Sequence, residues 1–190
     1  MGVAGISNVL GTVFPVKEIA AAAHANGALC LVDACQSVVH QKIDVKDIGC
    51  DFLAFSGHKT YGPTGIGVLY GRYELLAAMP PYQTGGDMVK SVTLQHTEFA
   101  EPPARFEAGT PAIAEAVGLG AALEYMSRLG MENIATHEKA LMDYALTRLA
   151  EIPELKVVGT APDKGGVIAF ALGSTHPQDV AFVLDKEGVA

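Results

Sequence analysis

Asp33, Gln36, Ser56, His58 and Lys59 put a carboxylate, a carboxamide, a hydroxyl, an imidazole and an amine into one short stretch of this 190-residue sequence. A free amine attacks carbonyl carbon once it has given up its proton. A carboxylate can hold a proton on a ring nitrogen, an amide can donate to a ring oxygen, and hydroxyl and imidazole groups can hold phosphate. Taken singly, each has a bland reading. An acid after a strand is commonly a helix cap or a solvated residue, and Ser-x-His-Lys is commonly an ordinary loop. The combination carries the weight, because Lys59 follows Asp33 by 26 residues, about one strand–crossover–strand unit.

The elements that must position these groups alternate strand and helix signals. Met1–Asn8 reads as a strand entering a loop, and Val16–Asn26, after Pro15 and before Gly27, as an Ala-rich helix. Ala28–Val32 is a continuous apolar run ending on Asp33, the pattern of a strand buried in a parallel sheet. A helical turn over Val45–Ile48 leads to a second such run, Asp51–Phe55, which ends on Ser56. The loop GHKTYGPTG predicts no regular element, and Ile66–Tyr70 resumes strand character. Open α/β sheets bind ligands beyond the carboxyl ends of their strands, and all five groups fall at such ends.

Residues 80–110 carry Pro80, Pro81, Pro102 and Pro103 and read as irregular. Pro111–Leu129 and Met131–Ile152 predict two helices broken at Gly130, with Gly118 and Gly120 expected to pack closely against a neighbour. Strands over Leu155–Val158 and Gly166–Leu172 and an amphipathic helix from Pro177 follow. The expected class is α/β: part of a large domain over residues 1–129, mostly parallel sheet with helices on both faces, then part of a smaller α+β domain over 130–190.

Composition supports a folded core, with 49% hydrophobic and 18% charged residues and a mean hydropathy of +0.27. The net charge of -8 and pI near 5.1, without any Lys/Arg cluster, argue against a nucleic-acid binder. Cys30, Cys35 and Cys50 are odd in number and lack metal-ligand spacing; Cys30 and Cys50 sit in or beside apolar runs and read as small buried hydrophobes, a pattern that fits a reducing compartment. No apolar run approaches membrane-spanning length and no signal peptide is evident, so a cytoplasmic location is expected. His24 and His137 lie on helical faces, while His40, His96 and His176 show no partner spacing. Gly65–Gly67 and Gly85–Gly86 read as turns or close packing, not phosphate cradles.

Pyridoxal 5'-phosphate (PLP) needs this set of groups: a lysine for its aldehyde, a carboxylate for its ring nitrogen, an amide for its ring hydroxyl and donors for its phosphate. Lys59, Asp33, Gln36, and the pair Ser56 and His58 can fill those places in that order.

The runs SNVLGTVFPVKEI, LVDACQSVVHQKIDVKDIGCDFLAFSGHKTYGPTGIGVLY and RFEAGTPAIAEAVGLGAALEY closely resemble the SufS-type (group II) cysteine desulfurases, class V aminotransferases of fold type I. The resemblance extends over essentially the whole chain. It implies that Lys59 is the Schiff-base lysine, Asp33 the pyridinium partner and Gln36 the neighbour of the ring oxygen, with Ser56 and His58 on the phosphate. It further implies that Asn8 lies beside the ring oxygen and the substrate carboxylate. Thr110 would reach the phosphate of the partner subunit's cofactor in a homodimer. The implied reaction turns L-cysteine into L-alanine and passes the sulfur to an enzyme cysteine, then to an acceptor protein for iron–sulfur cluster assembly. In this family a ring-stacking histidine lies upstream of the SNVLGT segment. The sulfur-accepting cysteine and a substrate-carboxylate arginine lie downstream of the last helix. None of the three is in this sequence, so an internal or truncated piece, inactive alone, is expected. Cys35 stands where the family has a small residue and reads as a tolerated buried thiol. A selenocysteine lyase or another class V enzyme shares the same groups, and a silent fragment keeping only fold and dimer surface is the rival of another class.

Overall fold

A small parallel sheet is built where the apolar runs stand, in a computed structural model that describes residues 1–189. Strands β1 (Gly2–Ala4), β2 (Leu31–Asp33) and β3 (Phe52–Ser56) run parallel and side by side, and β4 (Gly67–Gly71) closes the edge antiparallel to β3. The register aligns Val3, Val32 and Leu53, then Ala4, Asp33 and Ala54. Helix α1 (Val16–Ala25) makes the first crossover and buries Ala20 and Ala23 against Cys30, Val32, Ala34, Cys50 and Leu53. Small residues on α1 let its backbone approach the sheet, and each large side chain fully buried there contributes about 1.5–3 kcal/mol. Gly27, at φ +70°, takes the left-handed conformation that stops α1.

The second crossover contains two one-turn helices, α2 (Ser37–His40) and α3 (Val45–Ile48). Asp44 caps α3, its carboxylate accepting from the N–H groups of Lys46 and Asp47. After β4 come α4 (Tyr73–Ala78) and a hairpin of β5 (Val89–Val92) and β6 (Thr97–Phe99), in the segment expected to be irregular. Helices α5 (Ile113–Leu129) and α6 (Met131–Leu149) meet at Gly130, and both are shorter than expected by two or three residues at one end. Gly118 does pack closely, since a Cβ there would sit 3.1 Å from the Pro63 ring; Gly120 faces open space, contrary to expectation. The chain continues with β7 (Leu155–Val158) paired antiparallel to β8 (Ala169–Leu172), then α7 (Pro177–Lys186). The α/β class is therefore borne out. Among the described residues no helix is long and apolar enough to cross a membrane.

A buried charge pins the end of the sheet opposite the candidate site. Asp51 is fully buried and accepts from the Cys30 N–H at 2.7 Å, from His24 Nε2 at 2.8 Å and from Arg72 Nη1 at 3.3 Å. Burial pushes its carboxyl up, and the Cys30 N–H, His24 and Arg72 outweigh that and hold it below its ordinary value. His24, which the sequence places only on a helical face, is thus a partner of a buried acid.

Candidate functional site

Asp33 ends β2 and Ser56 ends β3, so the parallel register delivers both to one edge of the sheet. The Asp33 carboxylate accepts the Cys35 N–H at 2.9 Å, which fixes the turn leaving β2. Its acidity is raised first by that N–H, then by the Cys35 thiol, against a burial cost and with help from the Lys59 charge. Asp33 is therefore ionised and lies within electrostatic reach of Lys59. Cys35 Sγ stands 3.6 Å from Ser56 Oγ, joining the two strand ends directly. Cys35 is partly exposed, which corrects its reading as a buried thiol.

The loop after β3 is more ordered than its composition suggests. Gly57–Lys59 forms a 3-10 turn, closed by the Thr60 N–H at 2.9 Å and the Thr60 Oγ1 hydroxyl at 2.8 Å, both donating to the Gly57 carbonyl. Thr60 is fully buried, so the turn that carries Lys59 is anchored from within. Only glycine fits at position 57, because a Cβ would lie 2.8 Å from Ile66 Cγ2 and 3.1 Å from two carbonyl oxygens. Tyr61 then takes φ 59°, a left-handed conformation that is unusual for a bulky side chain. Its ring meets Tyr125 of α5 edge-on, with centroids 6.2 Å apart.

Asn8 is exposed on the turn that follows β1, whose last residue, Ala4, is in register with Asp33. Ser7 Oγ accepts from the Leu10 N–H at 3.1 Å and shapes that turn. Gln36 is half-buried at the start of α2, His58 is exposed and Lys59 half-buried. Asn8, Asp33, Gln36, Ser56, His58 and Lys59 therefore gather at the carboxyl ends of β1, β2 and β3. Thr110 is at none of these strand ends in the chain: it is exposed after Gly109, in the segment that leads into α5. Among the described residues no group of three His, Cys, Asp or Glu side chains is gathered to hold a metal.

Two contacts escaped the sequence. Cys35 is a direct partner of Asp33, and Tyr61 is a strained neighbour of Lys59. The first had a readable signal, since an Asp-x-Cys turn lets the acid accept the N–H two residues on; the second had none.

The donor set fits PLP. An ionised carboxylate sits within reach of an amine, two amides stand at the adjacent strand ends, and a hydroxyl and an imidazole flank the lysine. The Aminotransferase class-V family model matches residues 1–190. A cysteine desulfurase of Dickeya dadantii (strain 3937) is 56% identical, the match covering 100% of this chain and 46% of that protein. A cysteine desulfurase from Escherichia coli superimposes with TM-score 0.94 at 37% identity, over 100% of this chain and 47% of that one. The apo cysteine desulfurase from Thermococcus onnurineus NA1 gives TM-score 0.95 at 40% identity, over 99% and 48%. The chain spans about half the length of the curated relatives it matches.

Proposed function

This chain belongs to the class-V aminotransferase family, and from that premise we propose that it is the cofactor-holding part of a PLP-dependent cysteine desulfurase of the SufS-type branch. The observation that carries the reading is the ionised Asp33 within electrostatic reach of Lys59, across two adjacent parallel strand ends. When bound, PLP supplies an electron sink for breaking bonds at the substrate's α-carbon.

The chain's own residues then have distinct tasks. Lys59 Nζ is the amine that holds the cofactor covalently and afterwards moves the proton at the substrate α-carbon. Asp33 holds a proton on the ring nitrogen, and the Cys35 N–H keeps its carboxylate aimed. Asn8 and Gln36 donate to the ring oxygen, and Ser56 and His58 hold the phosphate. Thr110 serves the partner subunit's phosphate in a homodimer, which accords with its exposed position after Gly109. Residues 1–129 form part of the PLP-binding domain, and 130–190 part of the smaller domain.

The proposed reaction converts L-cysteine to L-alanine, the sulfur leaving as a persulfide on an enzyme cysteine and passing to an acceptor for iron–sulfur cluster assembly in the cytoplasm. The cysteine in question is none of Cys30, Cys35 and Cys50. Burial pushes the Cys30 and Cys50 thiols up, away from the reactive thiolate, and Cys35 is turned toward Ser56. Borohydride reduction of the PLP-loaded protein followed by peptide mapping tests the assignment. The pyridoxyl label is expected on Lys59; label on Lys42 or Lys46 would overturn it.

A further inference from the structure

Helix α2 is a single turn, too short to hold its own orientation. Gln36 stands at its start, three residues after Asp33, so whatever fixes α2 also fixes these two groups. The tie at its far end comes from across the molecule. His40 Nδ1 and Glu138 Oε2 of α6 are 2.8 Å apart, although 98 positions separate them in the sequence. Their side chains are only 18% and 25% exposed, so the contact is not a solvent-screened surface pair. Packing from a second side confines the imidazole, since a Cβ on Gly166 would sit 3.3 Å from His40 Cε1.

The same C-terminal region grips the Asn8 turn through backbone. The Gly165 N–H donates to Gly11 O at 2.7 Å, and the Val13 N–H donates to Asp163 O at 3.1 Å. Both segments carrying the proposed ring-oxygen amides are thus tied to residues beyond Gly130. A cavity of about 430 Å³ lies along this seam, bordered by His40, Glu138, Lys139, Asp143 and Lys164. Lys139 is paired with Asp143 at 3.0 Å and Lys164 Nζ donates to Gly159 O at 2.8 Å, so His40 is the partner that remains for Glu138.

We propose that His40 and Glu138 are a positioning pair that holds the Asp33–Gln36 turn in register with the smaller domain, an inference that rests on the cofactor reading above. Neither touches the reacting atoms; both act through Gln36 and Asp33. A shift of α6 against the sheet would therefore be felt at the cofactor's ring.

The test compares the unaltered protein with His40→Ala, Glu138→Ala, Glu138→Gln and the double variant His40→Ala/Glu138→Ala. Three signals are read: amide hydrogen exchange at Val38 and Gln41 without cofactor, visible circular dichroism and affinity with added PLP, and thermal unfolding. The two alanine variants are expected to speed exchange at both amides and to weaken PLP binding about tenfold, the worth of one charge-assisted hydrogen bond. The double variant should be no worse than either single one. Glu138→Gln keeps an accepting oxygen and adds a donating amide N–H, so it can pair with either imidazole tautomer and should stay within about twofold of the unaltered protein. Unchanged exchange and cofactor signals with only a lower unfolding temperature would overturn the proposal, as would additive losses in the double variant. If exchange responds as expected but PLP binds to none of the proteins, the pair stands and the cofactor reading falls.

Discussion

Lys59 and Asp33, 26 residues apart in the chain, are near enough in space that the lysine's charge helps hold the aspartate carboxyl below its ordinary value. One crossover and two parallel strand ends produce that proximity, with the Cys35 N–H fixing the carboxylate in between. An acid with a lowered pKa beside an amine can keep a ring nitrogen protonated at neutral pH, which gives the pair its chemical meaning.

Asp33→Asn is expected to reduce cysteine turnover by on the order of a hundredfold, as losing a group aimed at developing charge commonly does. Stability should change by no more than about 1 kcal/mol, because the amide oxygen can still accept the Cys35 N–H. Steady-state alanine formation and thermal unfolding measured on one preparation separate the two effects. Near-normal turnover would sink the ring-nitrogen role.

Asp51→Ala should cost about 3 kcal/mol of stability, because it strips a buried acceptor from Cys30, His24 and Arg72 together. Its pH dependence follows from the sign of the shift. The folded carboxyl lies below its unfolded value, so its contribution is present above about pH 4 and is lost as pH falls through the lower, folded pKa. Unfolding curves taken from neutral pH downward should show the gap between native and variant narrowing on the acid side. A constant gap would mean that Asp51 is not ionised in the folded chain.

Tyr61→Val should destabilise more than Tyr61→Gly. Both lose the edge contact with Tyr125, worth about 1 kcal/mol. Glycine relieves the φ 59° conformation, whereas a β-branched side chain strains it further. Chemical denaturation of the two variants gives the order directly, and the reverse order would remove strain from the account of this turn.

The strand ends were legible because buried parallel strands are written as continuous apolar runs, and Asp33 and Ser56 interrupt two of them in plain view. The helix break at Gly130 was legible for the same local reason. What stayed hidden was set by distance in the chain. His40 finds Glu138 98 residues away, and His24 finds Asp51 only once α1 has folded onto β2, so neither has a spacing to read. The β5–β6 hairpin was obscured by its composition, since Val89–Val92 and Thr97–Phe99 are short, polar and flanked by prolines. Gly118 and Gly120 look alike in sequence, and only the position of Pro63 separates them.

The 190 residues expressed alone should release no sulfur from L-cysteine over multiple turnovers, and the geometry of the three thiols gives the reason. A sulfur acceptor must be a thiolate free to approach the substrate. Cys30 is fully buried in the sheet core and Cys50 nearly so, and burial favours the neutral thiol at both. Cys35 lies beside the proposed cofactor groups, but its Sγ faces Ser56 Oγ from within the turn that holds Asp33. An attack from there would withdraw the thiol that helps the Cys35 N–H hold the Asp33 carboxyl below its ordinary value. PLP binding can persist without turnover, since Asn8, Asp33, Gln36, Ser56, His58 and Lys59 share one sheet edge. The assay follows alanine formation with added PLP and reductant, beside Lys59→Ala and a variant with all three cysteines replaced by alanine. Lys59-dependent turnover that vanishes in the cysteine-free variant would make one of these thiols the acceptor and overturn the assignment.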